Sequence, residues 1–261
     1  MSDHLRAIAH RAMALAPSPW LRHTRTGKHA VRDGVVYVRQ DYADPGFNFA
    51  AVLGPSPPLA KILAVAEDFY AALPGRYGIL VEGDAGHPVE AELRAAGWQV
   101  AEDEPALVLP RIPKPLPAPY GLEIRKLTDP SDLRRQFEML GAAFDTPIET
   151  MEKMMPPPSL LSDPDITVFA GICDGKYVSG GMSIRIDGIG TVHGVATLPS
   201  YRHRGFGRAL TWAAVHEGAK HGCATAALRA SGASFDMYRR MGFVHVCNHR
   251  TYAKPVASPA I

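Results

Sequence analysis

The sequence predicts an α/β chain built as two tandem domains of one plan, each a central sheet flanked by helices, and three observations predict it. First, the chain repeats itself at an offset of 145 residues. That offset lays LRAAGWQV (93–100) on YRRMGFVH (238–245), with Gly97 on Gly242 and Trp98 on Phe243. It also lays FNFAAVLGP (47–55) on VHGVATLPS (192–200) and Pro110 on Pro255, a register without a gap over about sixty residues. Second, PRIPKPLPAP (110–119) carries five prolines, which hold a backbone extended and leave it few donors for a helix or sheet. Third, VATLPSYRHRGFGRAL (195–210) reads as a strand running through a glycine turn straight into a helix. The expected organisation is a first domain over 1–110, a stiff linker over 111–119 and a second domain over 120–261.

Each half should contain strands, a helix after the strand ending near 53 or 198, another strand, a short helix, a Gly-aromatic turn and a last strand. In the second half LEIRKL (122–127) alternates as a strand does. Asp129 and Ser131 are helix-capping residues ahead of DLRRQFEMLGAAF, where Leu133, Phe137 and Leu140 share a face. TVFAGIC (167–173) and KYVSGGMSIRI (176–186) flank Asp174-Gly175, a dipeptide suited to the positive φ of a tight hairpin turn. GTVHGVATL (190–198) returns, and a helix then starts at Gly205 and Gly207 and stops at Gly222, where a left-handed cap is cheap. CATAALR (223–229) is the next strand, and FDMYRRM (235–241) is a short helix closed by Gly242.

Composition narrows the function classes. With 46% hydrophobic and 21% charged residues in 261, the chain is globular and not disordered. Lys plus Arg number 28 against 26 Asp plus Glu, a net charge of +2 that is too balanced for wrapping nucleic acid or coating an anionic membrane. Cys173, Cys223 and Cys247 form no C-x-x-C spacing, so neither a disulfide framework nor a zinc ribbon is indicated and a reducing cytoplasm fits. Asp3, Arg6 and Arg11 interrupt the apolar N-terminus, which therefore lacks a signal-peptide core. No run approaches the ~18 apolar residues of a membrane span.

The chemistry concentrates at Arg202-His203-Arg204-Gly205-Phe206-Gly207-Arg208. Glycines at a helix start let several backbone N–H groups converge on an anion, and the helix dipole favours negative charge there. Between Gly188 and His216 there is no acid, while Arg202, Arg204 and Arg208 cluster at the turn. A pyrophosphate suits such a loop. A Walker loop would need GK[ST], which is absent, and a dinucleotide fingerprint would need a third glycine near Leu210 and an acid after the next strand.

R-x-x-G-x-G after a strand ending in V-x-x-L-P, followed by a strand and a tyrosine four residues before Gly-Phe, resembles the GNAT superfamily of acyl-CoA N-acyltransferases. The resemblance covers about 120–255, with the first half similar in layout only. It implies a mixed, mostly antiparallel sheet in each domain and acetyl-CoA as acyl donor, with no metal. It implies further that the backbone of Val195, Ala196 and Thr197 pairs with the pantetheine arm, and that the donors of His203 to Arg208 take the pyrophosphate. Ser231 stands where the family often has an asparagine near the pantetheine, and Tyr238 matches the general acid.

Tyr238 also has a physical case of its own. Acetyl transfer to an amine expels a thiolate, and a phenol beside the sulfur can protonate it. A backbone N–H near Val195, exposed if the strand bulges, would stabilise the oxyanion. His193, expected on the strand face of Val195, is a candidate base for the incoming amine, and Asp187 a weaker one. His245, Cys247 and His249 alternate along the last strand, but i, i+2 and i+4 span about 13 Å, too far for one ion.

In the first half Tyr238 falls on Leu93, and Arg202, Gly205 and Gly207 fall on Pro57, Ala60 and Ile62, so that copy should bind no CoA in the same manner. Its expected role is to shape one wall of the acceptor pocket. Two function classes remain. One is an N-acetyltransferase acting on a primary amine, a small molecule or alternatively a protein amine. The other is a CoA-sensing module without turnover. Acceptor specificity is expected from the loops around 143–166.

Overall fold

The computed structural model describes residues 2–42, 44–53, 57–72, 77–83, 87–115 and 117–255. Positions 54 and 55 of the repeat and position 116 of the Pro-rich linker lie outside the described residues. The elements in chain order are α1 (Ser2–Leu15), α2 (Pro17–Leu21), β1 (Lys28–Arg32), β2 (Val35–Arg39), β3 (Phe49–Val52), α3 (Leu59–Phe69), β4 (Gly78–Glu82), α4 (Pro88–Ala95) and β5 (Gln99–Leu109). They continue with β6 (Glu123–Lys126), α5 (Pro130–Phe144), α6 (Ile148–Met154), β7 (Ile166–Cys173), β8 (Lys176–Ile186), β9 (Ile189–Thr197), α7 (Phe206–Lys220), β10 (Thr225–Arg229), α8 (Phe235–Arg240) and β11 (Val244–Ala253). Among the described residues no helix is long and apolar enough to cross a membrane.

The chain forms two compact units, and their boundary differs from the sequence expectation. The first holds residues 1–106, 229–233 and the chain from 245 onward; the second holds 107–228 and 234–244. The last strand, expected in the second domain, therefore belongs to the first unit. In that unit the strand order is β1-β2-β3-β4-β11-β5. β1–β2 and β2–β3 are antiparallel, β3–β4 is parallel, and β11 runs antiparallel to β4 from His249↔Glu82 to Ala253↔Gly78. Side chains explain the allegiance of β11. Tyr252 is fully buried in a core with Tyr37, Ile62, Tyr70, Ile79, Leu93 and Trp98. Its hydroxyl donates to Glu90 at 2.9 Å and accepts from Arg94 at 2.8 Å. Arg250 donates to Asp103 at 2.8 Å and to Glu90 at 3.2 Å. Alternation along a strand says which side chains face inward, not which sheet receives them.

In the second unit the order is β10-β9-β8-β7-β6. The β6 to β9 ladder is antiparallel, and β9–β10 is parallel through the α7 crossover. Asp174-Gly175 (φ 49° and 73°) and Asp187-Gly188 (φ 50° and 74°) turn the two hairpins, both with the paired positive φ of a type I′ turn. The helices cover opposite faces. A Cβ on Gly171 or Gly181 would meet Leu210 of α7, whereas one on Gly180 would meet Gln136 and Met139 of α5. Asp129 caps α5 by accepting the Ser131 N–H at 2.7 Å. Its buried face runs through Leu133, Gln136, Met139 and Ala143, rotated from the expected stripe, since Phe137 and Leu140 are only half-buried. The stretch 143–166, expected as loop, contains α6 and a short 3-10 turn at Pro158–Ser162.

The two halves of the sequence repeat one series of elements. β3-α3-β4-α4-β5 and β9-α7-β10-α8-β11 follow the same order, and the 145-residue offset carries Gln99, which begins β5, onto Val244, which begins β11.

Candidate active site

β9 is the scaffold of the site. Its ladder with β10 runs from Ile189↔Thr225 to Thr191↔Ala227 and goes no further. β9 itself continues to Thr197, so the edge from Val192 onward is a strand edge that an extended ligand can join by main-chain hydrogen bonds. Within this stretch Gly180 pairs with Ala196 and Met182 with His193, so one residue of β8 faces two of β9. The extra residue is a β-bulge at Gly194-Val195, and Gly194 takes φ 59°, a left-handed conformation cheap for glycine.

The bulge reverses the alternation of side chains. Val195 lies against the α7 face, where its methyls approach Gly181 and Gly207, and Thr197 approaches Gly207 on the same face. Ala196 packs with Met139 and Ala143 on the α5 face. His193, paired with Met182, also faces α5, so the expectation that it shares a face with Val195 is corrected by one inserted residue. Its Nε2 lies 2.8 Å from the Thr191 hydroxyl, which in turn donates to the Ile184 carbonyl at 2.9 Å. Asp187 sits in the second hairpin turn and is exposed.

At the end of β9 the chain passes through Pro199–Tyr201 into the glycine turn. His203 (φ 63°) and Gly205 (φ 81°) are left-handed, and Gly205 is the N-cap of α7. Ala209 is the residue whose N–H reaches the Gly205 carbonyl, at 3.0 Å. The N–H groups of Phe206, Gly207 and Arg208 precede it and have no intrahelical carbonyl to reach, which leaves them aimed out of the helix start. The arginines divide their work. Arg202 donates to the carbonyls of Thr197 (3.1 Å) and Ala143 (3.0 Å), tying β9 to the C-terminus of α5. Arg204 donates to the Ser200 carbonyl at 3.3 Å and lies over the Tyr201 ring, 5.1 Å from its centroid. Arg208 is exposed on the first turn of α7. Two of the three thus shape the loop while adding positive potential to it.

Tyr238 is buried on α8, edge-on to Phe243 at 5.8 Å. Burial pushes its phenol above the usual tyrosine range, and hydrogen bonds to the hydroxyls of Thr211 and Ser234 pull the other way. The net direction keeps the phenol protonated at neutral pH, the state an acid needs. Thr211 donates its own proton to the Gly207 carbonyl at 2.9 Å. Thr211 was not singled out from sequence, although a threonine four residues after a helix-start glycine is a known pattern of back-bonding to the i−4 carbonyl.

Ser231 is exposed and belongs to the first unit, as part of 229–233. Of the alternating trio on the last strand, His245 bonds to Asn248 at 2.9 Å, Cys247 is buried, and His249 is buried against His10, Nε2 to Nδ1 at 3.4 Å.

The helix of the first unit that corresponds to α7 starts differently. Leu59 begins α3 after Pro58, and its N–H donates to the Glu92 carboxylate at 3.1 Å. An internal anion occupies the position that the glycine turn leaves open in the other copy. Leu93, aligned with Tyr238, is fully buried in the apolar core and carries no titratable group.

Residues 132–243 match the family model described as the acetyltransferase (GNAT) family. Among solved structures, a GCN5-related N-acetyltransferase from Kribbella flavida is similar with a TM-score of 0.70 at 20% identity, over 96% of this chain and 96% of that one. One from Sphaerobacter thermophilus gives 0.60 at 15%, over 99% and 96%. A tandem GNAT protein from the clavulanic acid biosynthesis pathway gives 0.60 at 13%, over 98% and 94%. At these identities the likeness is one of fold. No curated protein matches.

Proposed function

We propose, from the match of residues 132–243 to the acetyltransferase (GNAT) family model, that this chain is a GNAT-superfamily acyltransferase that transfers an acetyl group from acetyl-CoA to the primary amine of a small molecule. The observation that carries the proposal is the convergence on β9 of an unpaired edge, a bulge and an anion loop at the strand's end. These fit a long donor with a pyrophosphate at one end and an extended amide arm at the other. Val195, Ala196 and Thr197 supply main-chain partners for the arm, and His203 to Arg208 supply N–H groups for the pyrophosphate.

The chemistry follows from what each group can do. A main-chain N–H at the bulge polarises the thioester carbonyl and stabilises the charge that gathers on its oxygen. The neutral amine attacks the carbonyl carbon, the C–N bond forms, and the C–S bond breaks. Tyr238 gives its proton to the departing sulfur, and the Ser234 hydroxyl, whose hydrogen bond lowers the phenol's pKa, supports the phenolate that remains. The amine sheds a proton, for which His193 on the α5 face is the candidate acceptor, directly or through water.

The test is an assay of thiol release from acetyl-CoA against a library of primary amines, with product mass read in parallel. Thiol release matched by acetylated amine supports the reading. CoA binding without release from any amine supports a sensing module instead.

A further inference from the structure

One buried polar group has no assigned role. Gln136 is 1% exposed, on the face of α5 that covers the sheet, and among the described residues neither its Nε2 nor its Oε1 has a hydrogen-bond partner. An apolar residue of similar size, such as leucine, would fit the surrounding Leu133 and Met139 without this cost. The sheet beneath makes room for the carboxamide. Gly180 lies under it, and a Cβ on Gly180 would collide with the Gln136 amide. Gly180 pairs with Ala196, and the next described pair toward the hairpin, Met182 and His193, projects onto the same face. The free carboxamide and the imidazole therefore stand over the same stretch of β9, one on each side of the bulge's register shift.

We infer that Gln136 recognises the acceptor: its carboxamide binds a neutral polar group beside the amine that reacts. A carboxamide offers one acceptor oxygen and two donor hydrogens, and its best complement is a group with the same pair, an amide. No charge on Gln136 calls for a carboxylate or a second ammonium. The acceptor class is a primary amine bearing a neighbouring carboxamide, as in an α-amino amide. A site built to hydrogen-bond such a group rejects the analogue that lacks it, because its own polar atoms are then left unpaired. This assignment rests on the acetyl-transfer reading of the same site.

The experiment compares wild type with Gln136→Leu and Gln136→Glu, using alaninamide and propylamine as acceptors. Without ligand, Gln136→Leu should melt higher than wild type, because it removes an unpartnered buried carboxamide. Wild type should prefer alaninamide over propylamine at least tenfold in kcat/KM, mostly through KM, and Gln136→Leu should abolish that preference while CoA binding stays within twofold. Melting shifts induced by the two amines, with and without CoA, give the same comparison without turnover. Equal treatment of the two amines by wild type, or an undiminished preference in Gln136→Leu, overturns the assignment. A failure of CoA to bind either form overturns the donor reading instead, and the amine-induced shifts then still decide Gln136.

Discussion

The Thr211 hydroxyl donates to the carbonyl of Gly207 in the glycine turn at 2.9 Å, and it is one of the two hydroxyls that pull the Tyr238 phenol's pKa down against its burial. The proposed acid is thus anchored through one side chain to the loop proposed to hold the donor. Tyr238→Phe removes the proton and keeps the ring against Phe243. It should leave CoA affinity within about twofold and lower kcat by 10²- to 10⁴-fold, the range for a general acid. Thr211→Val should lower kcat less, since the Ser234 hydroxyl still reaches the phenol. Equal kcat in Tyr238→Phe and wild type removes Tyr238 from the mechanism.

Glu92 fills the helix start of α3 that corresponds to the glycine turn. Glu92→Gln removes the charge at that N-terminus and should cost about 0.5–1 kcal/mol of stability, as charge at a helix end does. It should not create a second CoA site, because the turn there has no glycine geometry. Two CoA per chain in this variant would show that the carboxylate alone closes the first copy.

His10 and His249 form a buried pair. His10 donates through Nε2 to the Val52 carbonyl and accepts at Nδ1, while His249 Nδ1 has no partner among the described residues. Burial lowers the His10 pKa to about 4 and holds His249 well below its ordinary value. Between pH 6.5 and 4 the unfolded chain therefore binds protons that the native chain does not, and stability falls as pH drops through that window. His10 alone contributes a loss on the order of 3 kcal/mol by pH 4. Urea unfolding at pH 7.5, 6 and 5 reads this slope, and His10→Phe should flatten it. A flat wild-type profile would contradict the buried neutral pair.

A chain starting near residue 119 should fail to fold as a unit. It keeps β11 but loses β4, the partner that pairs with His249 to Ala253, and it exposes Tyr252. Low solubility and early melting are the expected results. A soluble fragment with native-like near-UV circular dichroism would mean that β11 finds another sheet.

Much of this architecture was legible in the sequence because it rests on local chemistry. The Asp-Gly turn, the Asp129 cap, the glycine start of α7 and the offset of 145 residues each declare themselves within a few positions. The rest depends on partners far along the chain. The strand β11 was readable, but its docking on β4 is decided by Glu90, Arg94 and Asp103, about 150 residues away. Alternation alone puts His193 on the face of Val195, because it carries no signal of an inserted residue, although Gly194 marks where one is cheap. Gln136 carries no signal of its own in the sequence, being one polar residue among several in an amphipathic helix; its place over Gly180 shows only in the structure.

A calorimetric titration of the full chain with CoA, acetyl-CoA and NADP decides whether the glycine turn is a pyrophosphate site. One saturable site per chain is expected for CoA and acetyl-CoA and none for NADP, with affinity lost in a Gly205→Val, Gly207→Val double variant that still folds. No binding of either CoA species, or equal binding of NADP, would contradict it, since the turn from Arg202 to Arg208 would then not be the pyrophosphate site on which the acyl-transfer reading depends.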